Sequence, residues 1–217
     1  MNFDIARFNM IEQQIRTWDV LDQDVLDLLA RVKREDFVPQ AYRGLAFVDM
    51  EIPLPGGENM FPPKLEARFL QELAVGPQDV ILEIGTGSGY MAALLAHQGL
   101  RVTSVEIQPE LCALAQSNLA KAAIANVSVV AGDGASGWPS AGEVDVLMVS
   151  ASLPFVPQSL LAQLRMGGRL GVIVGDAPVM SAEIITRTTP TSCETVKLFE
   201  TAQRPLRHAQ QPSRFKF

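Results

Sequence analysis

Histidine and cysteine, which supply most metal ligands and many catalytic bases and nucleophiles, are almost missing: the chain has two of each in 217 residues. Cys112 and Cys193 stand far apart and form neither a metal-binding spacing nor a disulfide framework. Both read as buried thiols, and no metal site is expected. His97 falls inside a helical stretch and His208 near the C-terminal end, so neither reads as a catalytic base. Basic charge is short as well. Lys and Arg number 18 against 24 Asp and Glu, a net charge of −6, and only a weakly basic tail around 204–216 departs from this. A nucleic-acid partner needs a concentrated positive surface, so the composition argues against one. Long hydrophobic runs are absent too. The apolar stretches are short and bounded by Gly, Pro or charge, none of membrane-spanning length. The opening "MNFDIARFNMIEQQIR" carries both signs of charge and no apolar run of the signal-peptide kind. The expectation is a cytoplasmic protein with no membrane partner, and a monomer.

What the chain does have is apolar residues, 47% of the total. That is enough for the core of one full α/β domain at this length. The first third reads as helical. Phe8, Ile11 and Ile15 recur at helical spacing, and so do Val25, Leu28, Leu29 and Val32. Pro39, Gly44, Pro53 and Pro55 then break the chain into short pieces. Residues 64–74 read as a helix with Leu65, Phe69, Leu70 and Leu73 on one side.

A strand–helix rhythm follows. "DVILEIG", "RVTSVEI", "NVSVVAGDG", "EVDVLMVSAS" and the end of "PQSLLAQLRMGGRLGVIVG" read as five apolar strands with helices between most of them. Near-continuous apolar strands alternating with helices imply a parallel sheet covered on both faces. "AEIITRT" and "ETVKLFET", separated by a Pro190-containing turn, read as an antiparallel pair closing one edge. The organisation is one domain over 1–217. A helical lead and loop fill 1–63, a nucleotide-binding core 64–175, and edge strands with a tail 176–217.

"LEIGTGSGY" follows the first strand and opens the next helix, the place where a doubly wound sheet binds a nucleotide. Gly85, Gly87 and Gly89 give G-x-G-x-G. The dinucleotide fingerprint G-x-G-x-x-G would need a glycine at 90, where Tyr90 stands, and no Walker lysine follows. Three acids accompany the turn at strand ends: Glu83 two residues before it, Glu106 placed for a ribose diol, and Asp133 in "GDG" placed for an adenine amino group. A cationic sulfonium and ammonium suit such surroundings, whereas a pyrophosphate would be repelled.

This set resembles the Rossmann-like methyltransferases that use S-adenosyl-L-methionine. The resemblance assigns the cofactor to Glu83, Gly85, Thr86, Gly87, Ser88, Gly89, Tyr90, Glu106, Ile107, Gly132, Asp133 and Gly134. It also narrows. "MIEQQIRTWDVLDQDVLDLLARVKREDFVP", "PLP", "GGE", "ILEIGTGSGYMAALLA", "GDG" and "LLAQLRMGGRLGVIVG" follow one another as in the protein-L-isoaspartate O-methyltransferases, over roughly 9–175. That family esterifies the carboxylate of isoaspartyl residues in ageing proteins, and the ester collapses to a succinimide that can reopen to aspartate. A carboxylate is already a nucleophile at neutral pH, so the reaction needs alignment and no general base.

The departure lies in "GGENMFPPK", the loop ahead of the cofactor turn, which includes Gly57, Glu58, Met60 and Phe61. The family usually has Thr-Ile-Ser here, the Ser helping to hold the acceptor carboxylate. Asn59 takes the Thr place and Phe61 the Ser place, and Phe cannot donate a hydrogen bond. Three readings stand side by side. Asn59 and backbone N–H groups replace the hydroxyl in an isoaspartyl enzyme; the apolar loop walls a pocket for a different, hydrophobic small-molecule acceptor; or Met60 and Phe61 plug the site. Packing of both side chains beneath the helical lead is the plain structural alternative.

Overall fold

The computed structural model describes residues 2–212. The lead opens with α1 (Phe3–Met10), whose first turn is capped by Asn2 accepting from the N–H groups of Asp4 and Ile5. A wider turn, Ile11–Ile15, continues it, and a 3₁₀ turn ends at Asp19 in the left-handed region, φ 57°. Asp22 caps α2 (Gln23–Arg31). A short hairpin follows, β1 (Ile52–Pro53) with β2 (Asn59–Met60), Ile52 opposite Met60. Pro63 occupies the first position of α3 (Pro63–Leu73), where its missing N–H costs nothing.

The remaining elements are β3 (Val80–Ile84), α4 (Tyr90–Gln98), β4 (Arg101–Glu106), α5 (Pro109–Lys121), β5 (Val127–Ala131), β6 (Val144–Leu153), α6 (Gln158–Ala162), β7 (Leu164–Asp176), β8 (Val179–Arg187) and β9 (Cys193–Thr201). They build a seven-stranded sheet in the order β5-β4-β3-β6-β7-β8-β9. β5 to β7 run parallel, and β8 and β9 are antiparallel additions. The chain winds from β3 outward through β4 to β5, then returns to β6 on the other side of β3. Strand order therefore reverses between β3 and β6, and a crevice opens beyond the carboxyl ends of β3, β4 and β6.

Side chains of a strand alternate between faces, and β3 shows what covers each. Ile81 joins the apolar cluster that holds Ile15, Leu28, Phe37, Leu65, Phe69 and Leu94. Its neighbours Leu82 and Ile84 join a second cluster with Leu147, Leu160 and Leu170. The first cluster runs without a break from the lead into α3 and α4.

The expected α/β architecture with an antiparallel edge pair is the one observed. Three local expectations are corrected. Phe8 is 63% exposed, and the buried face of the first helix is instead Arg7, Met10, Ile11 and Ile15. The π turn after Met10 shifts the rotation per residue, so simple helical spacing from Phe8 fails there. Cys112 is buried, but Cys193 is exposed because it begins the outermost strand. β5, at the other edge, is only partly buried and not enclosed on both faces. Of the basic tail, residues beyond 212 lie outside the described part. Among the described residues no helix is long and apolar enough to cross a membrane, and no group of three or more His, Cys, Asp or Glu could hold a metal ion.

Candidate active site

The turn between β3 and α4 forms the floor of a cleft. Gly87 has φ 55° and Gly89 φ 84°, values that any residue with a Cβ adopts only under strain. With these conformations the chain reverses tightly and presents the first N–H groups of α4 to the crevice. The cleft, with the open space at its mouth, encloses about 780 Å³.

All the residues assigned to the cofactor from the sequence except Gly89 line this cleft, and so do Glu58, Asn59, Met60 and Phe61; Gly57 does not line it. Glu106, at the end of β4, is 5% exposed. Its two carboxylate oxygens accept from the backbone N–H of Gly87 and of Gln108, each at 3.0 Å. Each oxygen keeps a further lone pair for a hydroxyl donor. Asp133 sits across the cleft mouth, half-exposed. It accepts from Ala135 N–H at 3.0 Å and faces His208 Nδ1 at 2.7 Å. The Ala135 N–H and His208 hold its carboxyl below the ordinary aspartate range, against a smaller opposing effect of burial.

Glu83 stands near the end of β3 as a buried carboxyl. It has no exposed surface, and it accepts from Ser104 Oγ at 2.5 Å and Ser150 Oγ at 2.9 Å. Ser104 spends its proton on Glu83, so the 2.6 Å contact between Ser104 and Thr86 is a donation from Thr86. Burial pushes the Glu83 carboxyl up to about 8, partly offset by the two serine hydroxyls, with the Glu106 and Glu66 charges adding to the rise.

The loop is held from below. Arg34 is fully buried. Its guanidinium donates to the Ala46 carbonyl at 2.9 Å, to the Phe61 carbonyl at 2.6 Å, and to the Glu66 carboxylate, and it lies 5.1 Å from the Tyr90 ring centre. Burial raises the Glu66 carboxyl to about 7 against the opposing pull of Arg34. A second buried pair, Arg7 with Glu35, lies in the same lead. Phe61 is 7% exposed and stacks on Phe69 with ring centres 6.5 Å apart. It therefore packs into the first apolar cluster while still forming cleft wall. Asn59 lines the cleft, and its amide donates to Glu51. A carboxamide has two N–H donors, so one remains for a ligand. Tyr90 is buried, and its hydroxyl has no partner among the described residues. His97 is exposed on α4, away from the cleft lining.

Sequence reading missed Arg34, Glu66, Ser104, Ser150, Gln108 and the tail residues Arg204 and Arg207. Only Glu66 left a local signal, a charge four residues ahead of Leu70 on the apolar side of α3. The others act across the fold. The residues present fit S-adenosyl-L-methionine, because two buried carboxylates, Glu83 and Glu106, stand where a cationic group gains and a pyrophosphate is repelled.

Comparison with known proteins agrees. The family profile "Protein-L-isoaspartate(D-aspartate) O-methyltransferase (PCMT)" matches residues 6–207. A protein-L-isoaspartate O-methyltransferase of Koribacter versatilis (strain Ellin345) is 36% identical over 204 residues, covering 94% of this chain and 91% of its own. One from Methanoculleus marisnigri is 40% identical over 169 residues, 78% of this chain and 77% of its own. Among solved structures, a Plasmodium falciparum protein of that name in complex with S-adenosyl-L-homocysteine superposes with a TM-score of 0.80 at 18% identity, covering 95% of this chain and 99% of its own. That likeness concerns the fold. Another solved protein-L-isoaspartate O-methyltransferase gives 0.79 at 26% identity, covering 92% and 65%. On the match over 6–207 and these identities, the chain belongs to the protein-L-isoaspartate O-methyltransferase family.

Proposed function

We propose that this chain methylates the free carboxylate of L-isoaspartyl residues in damaged proteins and peptides, with S-adenosyl-L-methionine as the methyl donor. One observation carries the reading: in a chain of this family, an acid-flanked glycine turn opens into a cleft whose other wall is the 58–61 loop.

S-adenosyl-L-methionine supplies an electrophilic methyl group when bound. The chain's own residues do the rest. The N–H groups at the start of α4 and the glycine turn cradle the cofactor's polar end. Glu106 is placed to accept from ribose hydroxyls and Asp133 from the adenine amino group, while Glu83 lies beneath and ionises when a cationic group is bound near it. The acceptor carboxylate needs alignment and dryness, not deprotonation. Met60 and Phe61 keep water from one side, and the remaining Asn59 N–H is the side-chain donor of the loop. The protein acts as a monomer, without nucleic acid.

A direct test follows an isoaspartyl peptide chromatographically over hours with the enzyme and donor. Conversion to the aspartyl form, through succinimide, is the expected result. Consumption of donor with the peptide unchanged contradicts it. Phe61 favours one second reading, a hydrophobic small-molecule acceptor, because no hydroxyl stands at that place.

A further inference from the structure

Two segments far apart in the sequence meet at the cleft. Residues 54 and 58–61 line one part of it, and Pro205, Leu206 and Arg207 line another. The C-terminal segment is fastened to β6 through Ser152. Ser152 N–H donates to the Arg204 carbonyl at 2.9 Å, Leu206 N–H donates to the Ser152 carbonyl at 2.8 Å, and Ser152 Oγ donates to the Gln203 carbonyl at 3.0 Å. From this fixed base two arginines reach the loop. Arg204 Nη1 donates to the Gly57 carbonyl at 2.5 Å, Arg207 Nη2 to the Gly56 carbonyl at 2.7 Å, and Arg207 Nε to Glu58 Oε1 at 2.6 Å. Gly56 and Gly57 have φ 67° and 79°, a permissive backbone that takes its shape from outside contacts. The same Glu58 oxygen accepts from Gln108 Nε2 at 3.1 Å, and the Gln108 N–H is bound to Glu106. A continuous hydrogen-bond chain thus runs from the C-terminal segment through Glu58 and Gln108 to the carboxylate placed for the ribose.

We infer that Arg204 and Arg207 are positioning residues that latch the acceptor loop to the C-terminal segment, so that loop and segment close together over the cofactor and govern its release. The inference rests on the cofactor assignment proposed above. The Arg207–Glu58 pair is partly exposed, so salt weakens it. That gives the latch a signature that a merely structural arginine lacks.

The test measures S-adenosyl-L-homocysteine release by stopped-flow displacement, with kcat and KM on an isoaspartyl peptide. Arg207→Ala is expected to release the product at least fivefold faster and to lower kcat, with the melting temperature of the ligand-free protein unchanged. Release from the wild type should quicken with added salt, and release from Arg207→Ala should not. Glu58→Gln and Arg207→Lys should fall between, and adding Glu58→Gln to Arg207→Ala should change little more, because the two side chains form one contact. If Arg207→Ala does not fold, Arg207→Lys and Glu58→Gln carry the same comparison. Wild-type release rate, salt response and kcat in these variants overturn the latch while leaving the cofactor assignment intact. A wild type that does not bind S-adenosyl-L-homocysteine overturns both.

Discussion

Ser150 on β6 donates its hydroxyl to Glu83 on β3 at 2.9 Å, across 67 positions of sequence, and fixes a fully buried carboxyl. Burial makes this carboxyl bind its proton up to about pH 8, and Glu66 up to about 7. Both values lie above the ordinary 4.5. The folded state then holds more protons than the unfolded state between those limits. Their stabilising contribution is complete below about pH 4.5 and is lost as pH rises through 7 and 8. Glu83→Gln should therefore flatten the decline in melting temperature between about pH 5 and 8. An undiminished decline in the variant would place its origin elsewhere.

The α-ammonium that S-adenosyl-L-methionine and S-adenosyl-L-homocysteine share, placed near Glu83, favours the ionised carboxylate. Binding of S-adenosyl-L-homocysteine at pH 7 should release protons, seen as a dependence of the calorimetric enthalpy on buffer ionisation. Glu83→Gln should remove most of that dependence. The same titration with NAD should show no binding.

Glu106→Ala should weaken S-adenosyl-L-homocysteine binding by roughly 1.5–3 kcal/mol, the usual worth of hydrogen bonds to a charged group. The side chain also ties Gly87 to Gln108. Unaltered affinity would mean that the ribose is held elsewhere.

Much of this was legible in the sequence, and the reason is local. β3, β4 and β6 are short apolar runs bounded by glycine or acids, and the G-x-G-x-G turn needs glycine where φ is positive, as at Gly87 and Gly89. What was hidden depends on distance along the chain. Arg34 reaches Glu66 and Phe61 across 32 and 27 positions, and Arg207 reaches Gly56 across 151. No spacing rule spans such separations. The burial of Glu83 was hidden for a related reason. A glutamate next to a turn ordinarily faces water, and only the serines of two neighbouring strands make its burial tolerable.

Phe61 stands where the family resemblance implies a serine, and its ring is part of the core. Phe61→Ser should destabilise the protein by on the order of 3–5 kcal/mol, the range for removing a buried phenylalanine ring. Measured below the new melting temperature, turnover on an isoaspartyl peptide should nonetheless rise, since one donor in a preorganised site is worth ~10²–10³ in rate. Equal turnover per folded molecule would show that a hydroxyl at 61 has no role.

Tyr90 buries a hydroxyl without a partner. Removing an unpaired buried polar group is neutral or stabilising, so Tyr90→Phe should match or exceed the wild-type melting temperature. A clear loss would reveal a partner for the hydroxyl, such as buried water.

The most direct measurement of the central claim is transfer of labelled methyl from S-adenosyl-L-methionine to two peptides that differ only in one isoaspartyl or aspartyl linkage. Base-labile label on the isoaspartyl peptide, and little on its twin, is the predicted result. Equal labelling of both, or labelling of neither by a protein that binds S-adenosyl-L-homocysteine, would contradict the claim and assign the 58–61 wall to another acceptor.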